Sequence, residues 1–271
     1  MDLGLKNKVI IVTGGAKGIG RSICLTLAQE GAIPVIVGRN SVDNENLLGE
    51  IVAGGGQAFT VNAELTNPED CQRAVQETLS KWGQIDGLVN NAGLNDGVSL
   101  ETGSYDDFVE SLHRNVIHYF LMAHNALAEL KKTQGVIVNI SSKTADVGQG
   151  GTSGYAASNG GRNALTREWA VELSKYGIRV NAVVVSECWT PQYEKWIKKV
   201  SEAEAAQAMQ EITEKIPLGN RMTRSEEIAD TVAFLLSSRS SHTTGQLLYV
   251  DGGYVHLDRA IKPIGTDGHK S

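Results

Sequence analysis

The run Thr13-Gly14-Gly15-Ala16-Lys17-Gly18-Ile19-Gly20 has the residue types and spacing to hold a phosphate. An apolar stretch of strand length precedes it, and an amphipathic stretch opens at Ile19. Glycines at 14, 18 and 20 let the backbone turn sharply, approach a pyrophosphate and pack helix against strand. The free N–H groups and dipole of the helix then face the anion. With a strand before it and a helix after, the run reads as a dinucleotide site. Chains that bind NAD(H) place an acid on the ribose hydroxyls about 20 residues further on. Here Gly38-Arg39-Asn40 follows the second apolar run instead. A guanidinium can grip a 2′-phosphate with two parallel hydrogen bonds, and Lys17 adds a second cation at the same corner. NADP(H) is the preferred expectation, with NAD(H) the alternative.

Something must position that turn, and the rest of the chain supplies it. Apolar runs at 9–12, 34–37, 58–61, 87–89, 136–140, 180–185 and 247–250 read as short buried strands, rich in Val and Ile. Stretches 19–30, 45–53, 68–82, 105–130, 155–176 and 225–236 carry apolar residues at helical spacing. Asn67-Pro68-Glu69-Asp70 places a cap, then proline, then acids at a positive helix end. This alternation predicts an α/β protein: one domain over 1–271, built on a Rossmann-like, doubly wound parallel sheet of about seven strands with helices on both faces. Two segments break the rhythm. Residues 186–220 are polar, carry a short helix near 202–215, and follow a strand end where open sheets place ligands, so they read as a substrate lid. Residues 254–271 form a C-terminal tail, frayed or used at a subunit contact.

Composition narrows the partners. A net charge of -6 gives no basic excess to neutralise phosphates, which argues against nucleic acid or an anionic membrane. The start of the chain lacks the pattern of a signal peptide, and no apolar run reaches the roughly 20 residues that span a bilayer. Three scattered cysteines suggest neither a disulfide framework nor a metal site, so a reduced, cytoplasmic setting is expected. His113, His118 and His124 read as interface or capping residues, and no metal is assigned.

Six ordered motifs complete a pattern: the glycine turn, Asn90-Asn91-Ala92-Gly93, Asn115, Ile140-Ser141-Ser142, Tyr155 and Val250-Asp251-Gly252-Gly253. From Leu5 to Gly253 the chain resembles the short-chain dehydrogenase/reductase family. That resemblance implies an oxidoreductase moving hydride between a nicotinamide and an alcohol or carbonyl, assembled as a homotetramer. It implies that Asn90 braces the sheet, that Asn91, Ala92 and Gly93 line the cofactor, that Glu64 and Leu65 lie beside the adenine, and that Thr190 joins them. Ser142 would hydrogen-bond the substrate oxygen, Tyr155 would exchange its proton, and Asn115 would hold a water in the proton relay. A secondary alcohol cannot release hydride unless its O–H proton leaves too, so such a hydroxyl acid/base is required.

The resemblance departs at one position. The family places lysine four residues after the tyrosine; this chain has Asn159, which can still reach ribose hydroxyls or a water but carries no charge. A phenol near its ordinary pKa of about 10 needs a positive neighbour to work at neutral pH. Three readings stand. The oxidised nicotinamide, Lys143 or Arg162 supplies the field; the enzyme works slowly or only at alkaline pH; or the chain binds nucleotide as a sensor with little turnover. After the sixth strand the family's Pro-Gly is replaced by Ser186-Glu187-Cys188-Trp189, and a carboxylate there suits a polyhydroxylated ligand. Asn95, Asp96, Lys143, Gln149 and Trp189 are expected to join Glu187. Stretches such as Gly93-Leu94-Asn95-Asp96 and Ser141-Ser142-Lys143-Thr144-Ala145 resemble the sugar 1-dehydrogenases, those of L-fucose especially. That implies oxidation of an aldose such as L-fucose at C1, with reduction of a 3-oxoacyl group or small ketone as the alternative.

Overall fold

Val9–Thr13 (β1) is buried along its whole length, since a parallel strand between two layers of helix has no wet face. Six more strands align with it: Ile33–Gly38 (β2), Phe59–Asn62 (β3), Gly87–Asn90 (β4), Val136–Ser142 (β5), Arg179–Val185 (β6) and Leu247–Val250 (β7). All pair in parallel, in the order β3-β2-β1-β4-β5-β6-β7. The order reverses between β1 and β4, so the crevice for a ligand opens where Thr13 and Asn90 end. The structure is a computed structural model and describes residues 2–257. Residues 258–271 of the expected tail lie outside the described residues.

Nine α-helices connect and cover the sheet among the described residues: Gly18–Gln29 (α1), Ser41–Ala53 (α2), Pro68–Trp82 (α3), Tyr105–Leu112 (α4), His118–Thr133 (α5), Ser153–Leu173 (α6), Pro191–Ile197 (α7), Glu202–Thr213 (α8) and Ser225–Leu236 (α9). One face of the sheet packs under Ile23 and Leu27 of α1, Leu47 and Ile51 of α2, and Ile228 and Val232 of α9. The other packs under Cys71 and Val75 of α3, Met122 and Leu130 of α5, and Trp169 and Leu173 of α6. The expected single α/β domain is what forms.

Local chemistry sets the helix ends. Asn67 caps α3 by accepting from the Glu69 amide, with Pro68 in the first turn and Gly83 closing the helix at φ 72°. Asn40 caps α2 through the Asp43 amide, so that helix starts at Ser41, four residues before the apolar periodicity does. The stretch expected as one helix over 105–130 is not uniform. His113–Ile117 forms a π turn between α4 and α5, which closes its bonds one residue further along and alters how Asn115 is presented.

Candidate active site

The glycine turn lies at the sheet crevice. Gly14 donates to Val37 O at 2.8 Å, pinning the turn to β2. Gly14 and Gly18 have φ 62° and 52°, in the left-handed region that favours glycine. A Cβ on Gly20 would stand 2.2 Å from Gly14 O and 2.6 Å from Asn91 Nδ2, so no side chain fits there. Lys17 precedes α1 in extended conformation, and α1 has neither a side-chain cap nor an acid in its first turn. A positive helix end with uncapped amides is what a pyrophosphate requires, so the residues present fit a bound dinucleotide.

β4 locks onto this turn. Asn91 Nδ2 donates to Thr13 O (3.0 Å) and Gly14 O (3.3 Å), and the amides of Asn91 and Ala92 donate to Thr13 Oγ1. Asn91 therefore shapes the cofactor turn from behind. Thr190, expected at the cofactor, lies against the turn: its Cβ is 3.7 Å from a Cβ placed on Gly18. Ile19 opens α1 beside them. At the adenosine corner both cations have partners. Lys17 pairs with Asp43 at 2.6 Å, and Arg39 reaches Glu64 at 3.4 Å. Besides Glu64, which the resemblance places beside the adenine, Asp43 supplies a second acid from the first turn of α2. Leu65 is buried beneath, and Glu64 also accepts from Thr66.

Asn90 braces the sheet as expected. Its Nδ2 donates to Asn139 Oδ1 (3.0 Å), Asn139 Nδ2 to Thr166 Oγ1 (3.0 Å), and Thr166 Oγ1 to Arg162 O (2.8 Å). This chain of bonds crosses β4 and β5 to reach α6, the helix of Tyr155. Ser142 ends β5, and its Oγ accepts from the Thr144 amide at 3.3 Å. Tyr155 lies in the first turn of α6, half-buried, and among the described residues no donor or acceptor engages its hydroxyl.

The geometry differs from expectation at Asn159. Asn159 is fully buried, and its amide turns into the protein: Nδ2 donates to Tyr155 O (2.8 Å) and Thr144 Oγ1 (3.3 Å), and Oδ1 accepts from Arg162 Nη1 (2.9 Å). With both ends engaged internally, it presents no group to a ribose. Asn115 lies beside it: its main-chain carbonyl accepts from Arg162 Nε at 2.6 Å, and its Oδ1 accepts from the Leu94 amide at 2.7 Å. Arg162, 2% exposed, also donates to Ile140 O at 3.2 Å. Its Cζ stands 4.4 Å from the Tyr119 ring centroid and 5.9 Å from that of Tyr155. His118, read as an interface or capping residue, is 1% exposed; burial, then the Arg162 charge, push its pKa down to about 3.

The expected substrate residues divide. Lys143 and Glu187 form an ion pair, with side chains only 10% and 14% exposed, and Tyr193 on α7 donates its hydroxyl to the other Glu187 oxygen. The Lys143 ammonium also lies 4.2 Å from the Tyr254 ring centroid. Burial and the Glu187 charge hold the Tyr193 phenol well above its ordinary range. Trp189 stacks on Tyr193 with ring centroids 6.4 Å apart. Nothing in the sequence spacing of Tyr193 and Tyr254 points to Lys143 or Glu187. Asn95, Asp96 and Gln149 do not join this cluster. Asn95 accepts from the Gly97 amide, Asp96 accepts from Ser111 Oγ at 3.0 Å, and Gln149 is exposed on a loop.

Comparison with known proteins agrees with this fold. A family model described as Enoyl-(Acyl carrier protein) reductase matches residues 14–255. The 3-oxoacyl-[acyl-carrier-protein] reductase FabG of Thermotoga maritima is 36% identical, covering 93% of this chain and 99% of its own. The L-fucose dehydrogenase of Mus musculus is 34% identical, covering 91% of this chain and 88% of its own. Among solved structures, Cj0485 dehydrogenase superposes with a TM-score of 0.91 at 44% identity, covering 96% of this chain and 99% of its own. Fold, glycine turn and relatives converge: the chain belongs to the short-chain dehydrogenase/reductase family, oxidoreductases that act on CH–OH or carbonyl groups.

Proposed function

We propose that this protein is an NADP(H)-dependent aldose dehydrogenase that oxidises a neutral sugar, such as L-fucose, at C1 to the lactone. The observation that carries this reading is the Lys143–Glu187–Tyr193 cluster, which begins one residue beyond Ser142. An acyl chain asks for an apolar wall, whereas this wall is polar and charge-balanced. Glu187 keeps lone pairs for sugar hydroxyls, and the stacked Trp189 and Tyr193 offer an aromatic face to a pyranose ring. Relatives named L-fucose dehydrogenase and aldohexose dehydrogenase support the same substrate class. The alternative, reduction of a 3-oxoacyl group, draws on the likeness to FabG.

Bound NADP+ supplies the hydride acceptor. Ser142 accepts from the Thr144 amide, which leaves its own O–H to donate to the sugar oxygen. Tyr155 takes the proton of the C1 hydroxyl as hydride leaves C1, so the sugar loses two electrons and two hydrogens and becomes a lactone. Residues 186–220, with Thr190 against the glycine turn, act as the lid over this pocket. Arg39 and Lys17 favour a 2′-phosphate, while Asp43 and Glu64 oppose it, so selectivity over NAD(H) is modest. The exposed apolar surface at Tyr105, Phe120 and Val171 supports the expected homotetramer, which works in the cytoplasm. Turnover on L-fucose, D-arabinose and an acetoacetyl thioester tests the reading. Reduced nicotinamide should appear with the sugars; oxidation of NADPH by the thioester, with no sugar turnover at any pH, would reverse the assignment.

A further inference from the structure

Tyr155 has no lysine one helical turn away, yet a cation stands beside its ring. We propose that Arg162 is the positioning residue that supplies Tyr155 with the positive charge Asn159 lacks. The inference rests on the reading of Tyr155 as proton acceptor and is independent of which substrate is bound.

Residues 155, 159 and 162 share one stripe of α6. The Arg162 Cζ is 5.9 Å from the Tyr155 ring centroid, and Asn159 bridges the two residues, accepting from the guanidinium and donating to the Tyr155 carbonyl. The charge is not cancelled. Arg162 is almost fully buried, and among the described residues its guanidinium donates to the neutral oxygens of Asn115, Ile140 and Asn159. Among the described residues no carboxylate pairs with it. Burying a cation without a counter-charge is costly, and hydrogen bonds to neutral carbonyls satisfy its donors while leaving its field intact.

The surroundings are shaped for this side chain. A Cβ on Gly93 would stand 2.6 Å from Arg162 Nη2, so the glycine expected at the cofactor also makes room for the guanidinium. The π turn at His113–Ile117 presents the Asn115 carbonyl to Nε. Other groups facing this pocket do not serve. From α5, His118 is held neutral by burial, and the Tyr119 phenol, pushed up by burial, donates to Ile140 O. Beyond β5, Lys143 is paired with Glu187. The cation has moved along the helix from the fourth to the seventh residue after the tyrosine.

The test compares Arg162→Gln, Arg162→Lys and the double variant Asn159→Lys/Arg162→Gln. Ultraviolet difference titration of the protein alone, each variant with and without Tyr155→Phe, isolates ionisation of this one phenol without any turnover. In Arg162→Gln the Tyr155 absorbance rise should move upward in pH, because the variant removes the buried cation beside its ring. The kcat at pH 7 with L-fucose and NADP should fall about 100-fold with KM changed less than about threefold. The double variant should recover at least about tenfold of the lost kcat and return the titration toward wild type. An unmoved titration in folded Arg162→Gln overturns the proposal. Should that variant not fold, Arg162→Lys decides. It keeps the charge and drops the fork, so kcat within about tenfold of wild type supports the proposal, and a larger loss with an unmoved titration overturns it. Absence of sugar turnover with the titration moved as stated would instead fault the substrate assignment alone.

Discussion

Removing the charge of Glu187 is a sharp probe of the pocket wall. Glu187→Gln leaves the Lys143 ammonium, only 10% exposed, with the Tyr254 ring but no counter-charge. Breaking a fully buried pair from one side costs about 3–5 kcal/mol. Here both side chains keep some water, and the amide oxygen still accepts one hydrogen bond, so about 2 kcal/mol is a fair figure. At about 2–4 °C per kcal/mol for a chain of this size, the unfolding midpoint should fall by about 4–8 °C. Lys143→Met alone strands the carboxylate and should cost a similar amount. The double variant, with neither charge, should lose less than the sum, giving a coupling of about 1–2 kcal/mol in a double-mutant cycle followed by thermal unfolding. Kinetics on the same proteins should show KM for L-fucose raised at least about tenfold in both single and double variants, because restored stability does not restore the sugar contacts. Additive losses, or a Glu187→Gln midpoint within 1 °C of wild type by this same assay, would show that the two groups are solvated and do not form the wall.

Three further outcomes follow from the same geometry. Gly20→Ala places a Cβ 2.2 Å from Gly14 O, so the turn must open; nucleotide affinity measured by fluorescence titration should fall at least about 30-fold, and an unchanged Kd would show that the turn does not hold phosphate. Arg39→Asp should invert the ratio of kcat/KM for NADP over NAD, by removing a guanidinium and adding a carboxylate where the proposal places the 2′-phosphate; an unaltered ratio rules that corner out. Glu227 caps α9 and holds Arg221 at 2.6 Å, the Arg221 hydrogen bond being the first cause that lowers its pKa from 4.5 to about 2. Its folded value is depressed, so its stabilisation is complete above the unfolded value and is lost as pH falls from 4.5 toward 2. Urea midpoints of wild type and Glu227→Gln should therefore differ at pH 6 and converge near pH 2, and a constant gap would contradict the linkage.

The strands and the glycine turn were legible because burial on both faces forces continuous Val and Ile runs, and because only glycine can stand at Gly20. Asn67-Pro68 was equally plain, since the cap and proline rules act within one turn of helix. What escaped the sequence depends on contacts between distant elements. The π turn at 113–117 leaves the apolar periodicity of 105–130 nearly intact and shows only in where Asn115 points. Arg162 was one candidate among three, because spacing puts it on the stripe of Tyr155 but cannot tell a guanidinium turned toward Ile140 from one in water. The same blindness hid the inward turn of Asn159 and the bond between Ser111 and Asp96. Arg162 and Thr144 hold the amide of Asn159, and Ser111 donates to one oxygen of Asp96. Lys143 and Glu187 stand out in the sequence as polar groups near strand ends; that they partner each other is not visible from residues so far apart in the chain.

The hydroxyl of Tyr155 carries the account, and Tyr155→Phe removes that single oxygen while leaving the ring beside Arg162. Initial rates of NADPH formation from L-fucose at saturating NADP, together with the NADP dissociation constant, measure it directly. The account predicts a kcat at least about 1,000-fold below wild type with NADP affinity within about threefold. A variant that turns over within about tenfold of wild type would contradict it, because the proton would then be leaving by another route.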